Sequence, residues 1–155
     1  MVALGEPFFV REKFLMPDPV SAACISCYEA EKGDCSGFVH AVGAALGVQI
    51  EGMADDIVNA LRAGGKWQKL PDGPAAAASA AAGNLVVAGL RGDEQAVPNV
   101  HGHVVVVVAG ALNRGIYPTA YWGSLGGSPG YDQTINWAWT EADRDRVSYA
   151  AQVIP

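Results

Sequence analysis

Gly102-His103-Val104-Val105-Val106-Val107-Val108 is the stretch that decides the fold. Five β-branched residues in succession, with no polar position among them, predict a strand buried on both faces, because a half-exposed strand would alternate. His103 stands at the mouth of that strand, where a rigid element would hold its imidazole. The residues before it read as helices. A helix is expected from about Pro19 to Glu31 with Asp18 as its cap and Lys32-Gly33 at its end. A second opens at Cys35, with Phe38, Val39, Val42, Ala45 and Leu46 along one face and Gly47 as its stop. A third runs from about Ala54 to Ala63, with Asp55 and Asp56 in its first turn and Ile57, Ala60 and Leu61 facing inward. Pro74 and the alanine-rich run to Ala82, closed by Gly83, predict a short fourth helix.

From Leu85 onward the pattern changes to strands. Leu85 to Ala88 begins this half, and a polar loop from about Arg91 to Val100 leads into His103. Ile116 to Trp122, Thr134 to Trp139 and Val147 to Ile154 are further strand candidates. Gly123 to Gly130, with four glycines and a proline, reads as a turn-rich loop bordering a cleft. Helices in the N-terminal half and strands in the C-terminal half predict an α+β domain, with a helical layer packed on an antiparallel sheet. The chain of 155 residues fits one domain over residues 18–155, preceded at residues 1–17 by an arm that holds Phe8, Phe9, Phe14 and Leu15 among charges and prolines.

Composition narrows the partners. Half of the residues are hydrophobic, 17% are charged and the net charge is −6, with no basic cluster, so nucleic acid and anionic membrane surfaces are excluded as expected partners. No apolar run reaches the length of a membrane span, and no basic segment followed by an apolar stretch opens the chain, so no membrane insertion and no signal peptide are expected. A protein made in the cytoplasm is the expectation, and any action elsewhere needs another route of export.

The chemistry centres on Asp34-Cys35-Ser36-Gly37. A cysteine attacks acyl carbons as a thiolate, and a helix N-terminus together with an imidazole activates it. Cys35 opens a helix, so its sulfur lies near unpaired N–H groups that could also hold an oxyanion. His103 is the expected base. Asp34 and Ser36 are candidates for binding substrate or capping the helix. His101 is a candidate substrate contact from the loop before the strand. His40, five positions after Cys35, is turned away from the sulfur and reads as a surface residue. Thr119-Ala120-Tyr121-Trp122 supplies no histidine, asparagine or glutamine to orient the imidazole, which leaves a backbone carbonyl near Trp122 for that task.

Other features have plainer readings. Cys24 and Cys27 have a Cys-x-x-Cys spacing, but no second such pair accompanies them, so packed helix positions are favoured over a metal or redox site. Neither metal nor cofactor is expected. Trp137 and Trp139 alternate along a strand face, as core residues or as a groove for glycan or peptide. Thr140 and Asp143 resemble a capping box, and Asp143-Arg144-Asp145-Arg146 reads as a solvated, self-paired turn.

Asp34-Cys35-Ser36-Gly37-Phe38-Val39 and Gly102-His103-Val104 resemble the bacterial cell-wall endopeptidases with a circularly permuted papain-like fold. In those enzymes the nucleophile heads a helix and the histidine opens a strand. A closer similarity covers about residues 20–150 and is to the first family of amidase effectors delivered by type VI secretion systems. It is carried by Gly83-Asn84-Leu85-Val86-Val87-Ala88-Gly89-Leu90, Gly102-His103-Val104, Tyr117-Pro118, Gly123-Ser124 and Thr140 through Tyr149. That resemblance implies a cysteine amidase that hydrolyses the bond between D-glutamate and meso-diaminopimelate in the stem peptides of Gram-negative peptidoglycan. It further implies passage through a secretion apparatus, toxicity in the periplasm of a rival cell, and a cognate immunity protein. The alternatives are a non-catalytic module that binds wall peptides and a housekeeping wall hydrolase.

Overall fold

The computed structural model describes residues 17–155. The arm expected over residues 1–17 falls, apart from Pro17, outside the described residues. Within them the chain forms helices α1 (Pro19–Glu31), α2 (Cys35–Ala45), α3 (Ala54–Ala63) and α4 (Gly73–Ala81). The strands are β1 (Gln68–Leu70), β2 (Leu85–Leu90), β3 (His103–Val107), β4 (Thr119–Trp122), β5 (Gly130–Thr134) and β6 (Ser148–Gln152). No helix among the described residues is long and apolar enough to cross a membrane.

Local chemistry sets the helix ends. Asp18 and Asp72 each accept a backbone N–H three residues on, from Ser21 and Ala75, both at 2.9 Å, and so satisfy donors that a helix start leaves free. Asp56 does the same for Met53 N–H at 3.0 Å, from inside the first turn of α3. Gly47, Gly64 and Gly83 follow the helix ends with φ of +77°, +89° and +97°, a region closed to most side chains.

The six strands form one antiparallel sheet in the order β1-β6-β2-β3-β4-β5, which makes this an α+β protein with N-terminal helices and a C-terminal sheet. The valine run explains itself in this setting. Val104, Val106 and Val108 pack against α2 and α3 through Phe38, Val39, Val42, Ile57 and Leu61, in a layer that α1 completes through Val20, Ala23 and Cys24. Val105 and Val107 face the other side, among Ala76 and Ala80 of α4, Trp122, Ile135 and Trp139. The sheet therefore has a covered layer on each face, and β3 is the strand that needs both.

Several expectations are corrected. Two alanines placed inward, Ala45 and Ala60, are exposed, and Gly43 and Val58 take the buried positions instead. Thr134 to Trp139 is not a strand. The chain turns at Ile135–Trp137 into a 3-10 helix because Ile135 N–H bonds to Pro118 C=O at 3.0 Å while Ala138 N–H closes on Ile135 C=O at 2.9 Å. The tryptophans consequently do not alternate along a strand: Trp139 is 7% exposed and Trp137 is 72% exposed. The edge strand beyond β4 is β5, which begins at Gly130 inside the expected loop. A tight turn at Asn113–Tyr117 delays β4 to Thr119, with Arg114 and Gly115 both at positive φ. The short edge strand β1 has two exposed polar residues out of three and left no apolar pattern to read.

The loop after β4 is fastened to the junction of α1 and α2. Ser124 N–H donates to Lys32 C=O at 2.9 Å, and a Cβ on Gly123 would lie 2.6 Å from Glu31 C=O and closer still to that of Asp34. The obstacles are backbone atoms on either side of the loop, so Gly123→Ala is expected to lower stability by about 1–3 kcal/mol, the cost of overpacking a site that cannot relax. Urea unfolding with an unchanged slope and a lower midpoint would show it; an unchanged midpoint would contradict this contact.

Candidate active site

Cys35 is the first residue of α2, and Asp34 before it is extended at φ −152° and ψ 124°. Asp34 makes no side-chain cap bond, contrary to the usual behaviour of aspartate at this position. Its carboxylate instead accepts from Ser36 Oγ at 3.2 Å, and Ser36 is itself buried. The helix start is thus left without a side-chain cap. Burial pushes the Cys35 thiol above its ordinary range, and the N–H groups of Val104, Ser36 and Cys35 itself oppose that shift by favouring the charged sulfur. The thiol approaches Gly102 C=O at 3.9 Å, across a separation of 67 residues in the chain.

His103 is the first residue of β3 and pairs in register with Leu90 of β2. Its position is fixed from the loop side by Gly102, where a Cβ would collide with Asp55 Oδ1 and lie 2.8 Å from Leu90 C=O. Asp55 in the first turn of α3 also accepts Gly92 N–H at 3.0 Å, so one carboxylate holds the beginning of the loop and crowds its end. The imidazole is flanked by two indole rings, Trp139 at 5.2 Å and Trp122 at 6.5 Å between centroids, both near perpendicular. Trp122 is locked in turn by donating Nε1–H to Ser128 C=O at 3.0 Å. Among the described residues no hydrogen bond joins the His103 ring to a backbone carbonyl near Trp122, and the indoles are its aromatic neighbours. Burial lowers the pKa of His103 from 6.5 to about 4, so the imidazole is neutral at neutral pH.

Asp34, Cys35, Ser36, His101, His103 and Trp122 all line one cleft of about 590 Å³. His101 is exposed on the loop ahead of β3, with its N–H on Asn99 Oδ1 at 3.2 Å. His40 is half-buried rather than superficial and bonds to Gly52 C=O at 2.7 Å, outside the cleft. Cys24 is buried and Cys27 half-buried on α1, both as free thiols. Among the described residues no group of three or more histidine, cysteine, aspartate or glutamate side chains is placed to hold a metal.

Asp143 was hidden from sequence reasoning. The run Asp143–Arg146 is the expected self-paired turn, with Asp145 and Arg146 exposed and Arg146 on Asp143 at 2.6 Å, but Asp143 is not solvated: it is 5% exposed, lines the cleft, and accepts from Ala96 N–H at 2.8 Å. Arg146 also donates to Glu94 C=O, and Glu94 forms a two-pronged pair with Arg62 of α3 at 2.8 and 2.9 Å. This chain of charges secures the loop that ends at His103. Its alternating signs, read alone, cannot be told from an exposed self-paired turn. Trp139 escaped for a different reason, since a strand was expected where the 3-10 turn lies.

The order of parts is therefore a thiol at an uncapped helix start, a neutral imidazole at a strand mouth, and a cleft shared by both. No protein-family model matches the chain. It is 42% identical over 122 residues to the peptidoglycan amidase Tse1 of Pseudomonas aeruginosa, an alignment covering 76% of this chain and 74% of that protein. With that identity over that share of both chains, this protein belongs to the peptidoglycan amidase Tse1 family.

Proposed function

We propose that residues 18–155 form one cysteine amidase domain that cleaves peptidoglycan stem peptides with Cys35 as nucleophile and His103 as general base and acid. The carrying observation is that the two side chains head α2 and β3 on the wall of the same cleft, with the sulfur beside the carbonyl of Gly102, the residue before His103. Cys35 gives its S–H proton to His103 as the sulfur adds to the amide carbon. The oxyanion forms next to the uncapped N–H groups at the start of α2. As the C–N bond breaks, the imidazolium returns the proton to the leaving amine, and a thioester remains. Water, deprotonated by the same imidazole, hydrolyses the thioester and restores the thiol.

Asp34 and Ser36 act as a pair in this scheme. Ser36 braces the Asp34 carboxylate at the cleft wall, where no lysine or arginine among the described residues lines the cavity, and that carboxylate suits a substrate ammonium. His101 contacts substrate from the opposite loop, and Trp122 orients His103 by packing. The bond between D-glutamate and meso-diaminopimelate is the one implied by the sequence similarity to the type VI amidase effectors. The same similarity supports export through that apparatus, antibacterial action in a target periplasm, and a cognate immunity protein. Digestion of purified Gram-negative sacculi followed by mass spectrometry tests the bond: fragments ending in D-glutamate are expected, and cleavage elsewhere would reassign it.

Cys35→Ala and His103→Ala are each expected to lower the rate of sacculus cleavage by about a thousandfold or more, with little loss of helix and sheet signal. An active Cys35→Ala protein would remove the thiol from the mechanism. Because His103 can take the S–H proton as the sulfur attacks, iodoacetamide should label Cys35 about tenfold or more faster than Cys24 and Cys27 near neutral pH, and His103→Ala should abolish the difference. Equal, slow labelling of all three thiols would favour a module that only binds wall peptides. The imidazole must be neutral to accept the thiol proton, and burial keeps it neutral down to about pH 4. The acid limb of kcat/KM is therefore expected well below 6.5, approaching 4. An acid limb at or above 6.5 would show that burial does not hold the imidazole neutral in the working enzyme.

A further inference from the structure

We infer that Trp137 is the platform of a carbohydrate subsite, a ridge on which the N-acetylated amino-sugar chain lies while its attached peptide enters the cleft. The inference rests on the amidase reading above and adds to it the part of the substrate that the catalytic pair does not touch. Trp137 is 72% exposed, although the residues two before and two after it, Ile135 and Trp139, are 0% and 7% exposed. An indole left in water forgoes one of the largest apolar burials a side chain can make, and on a turn whose other residues are buried or half-buried it leaves its face free for a ligand.

The turn beneath it is rigid. Ile135 N–H is held by Pro118 C=O at 3.0 Å, and Ala138 and Trp139 N–H both close on Ile135 C=O at 2.9 and 3.3 Å. The indole is thus presented on a fixed base, at little ordering cost on binding. Trp137 borders two concavities. On one side lies the cleft of Cys35 and His103, and on the other a depression of about 780 Å³ bounded by Asp132, Gln133 and Thr134 of β5. Asp132 holds a positive φ of 53°, an uncommon conformation for a residue other than glycine.

The chemistry of the second depression selects among occupants. Among the described residues neither concavity is lined by lysine or arginine, which argues against a polyanion. A flat indole face beside a carboxylate, an amide and a hydroxyl matches the two sides of a pyranose, with C–H groups on the face and hydroxyl or acetamide groups at the edge. The stem peptide is joined to such a sugar, so one substrate can occupy the cleft and cross the ridge together.

Two substrates separate this subsite from a structural role: a stem peptide still attached to its disaccharide, and the same peptide without sugar. Trp137→Ala is expected to raise KM on the sugar-bearing substrate so that kcat/KM falls by about tenfold, and to change the free peptide by less than about twofold. Trp137→Tyr should recover most of the loss, since it keeps an aromatic face. Equal loss on both substrates, or no loss on either, overturns the subsite. Binding is read independently in the Cys35→Ala protein with chitin-type N-acetylglucosamine oligomers, by the indole N–H resonance that disappears in Trp137→Ala. A shift of that resonance is expected, and an unmoved resonance overturns the inference. If the unmodified chain cleaves neither substrate yet the resonance shifts, the amidase reading falls and the subsite stands.

Discussion

Because β3 is buried on both faces, its backbone has no water to bond with and must find its partners inside the sheet. Antiparallel pairing with β2 on one side, from Val86 opposite Val107 to Leu90 opposite His103, and with β4 on the other meets that requirement. The valines then fill both layers at once, three toward α1, α2 and α3 and two toward α4 and the tryptophans. A slip of one residue in register would exchange the two sets and move His103 relative to Leu90. The position of the imidazole is therefore a by-product of core packing, and so is its shielding from water on every side but the cleft. The same burial that fills the core lowers the pKa of His103 to about 4.

That shielding shapes the chemistry proposed for the pair. An imidazole kept neutral and a thiol kept protonated do not attract each other strongly at rest, and the proton moves only when a carbonyl is present to accept the sulfur. The N–H groups of Val104, Ser36 and Cys35 stand ready to favour the charged sulfur at that moment. Aromatic edges from Trp122 and Trp139 suit this arrangement better than a carboxylate would, since they restrict the ring without raising its basicity. A dyad in side-chain terms thus has a physical rationale in its surroundings.

Much of this was legible in the residues. Asp18, Gly47 and Gly83 mark helix ends by local chemistry, and the structure places a cap and stops there. The valine run announced a strand buried on both faces because burial on both sides removes alternation. The parts that could not be read depend on distant partners. Pro118 turns Ile135 away from a strand path, Ala96 and Arg146 draw Asp143 inward, and β6 pairs with a polar β1 that carries no pattern of its own. Ala45 and Ala60 show the limit of a helix-face count, since alanine fits either side of a helix and says little about which one is inside. The cleft followed the same division: Cys35 and His103 stood out by motif, whereas Trp139 and Asp143 became part of it only through tertiary contact.

The separation of 67 residues between Cys35 and Gly102 has a consequence for the chain before it is folded. α1 and α2 are local structures that can form early, but β3 reaches the sulfur only after β2 and β3 have paired, and β6 must return from the far end of the sequence to flank β2. Loop closure of this kind comes late and all together. A nascent, stretched or half-unfolded chain carries its thiol at a helix start with no imidazole beside it. Such a chain is chemically quiet, and reactivity arises as a property of the completed topology.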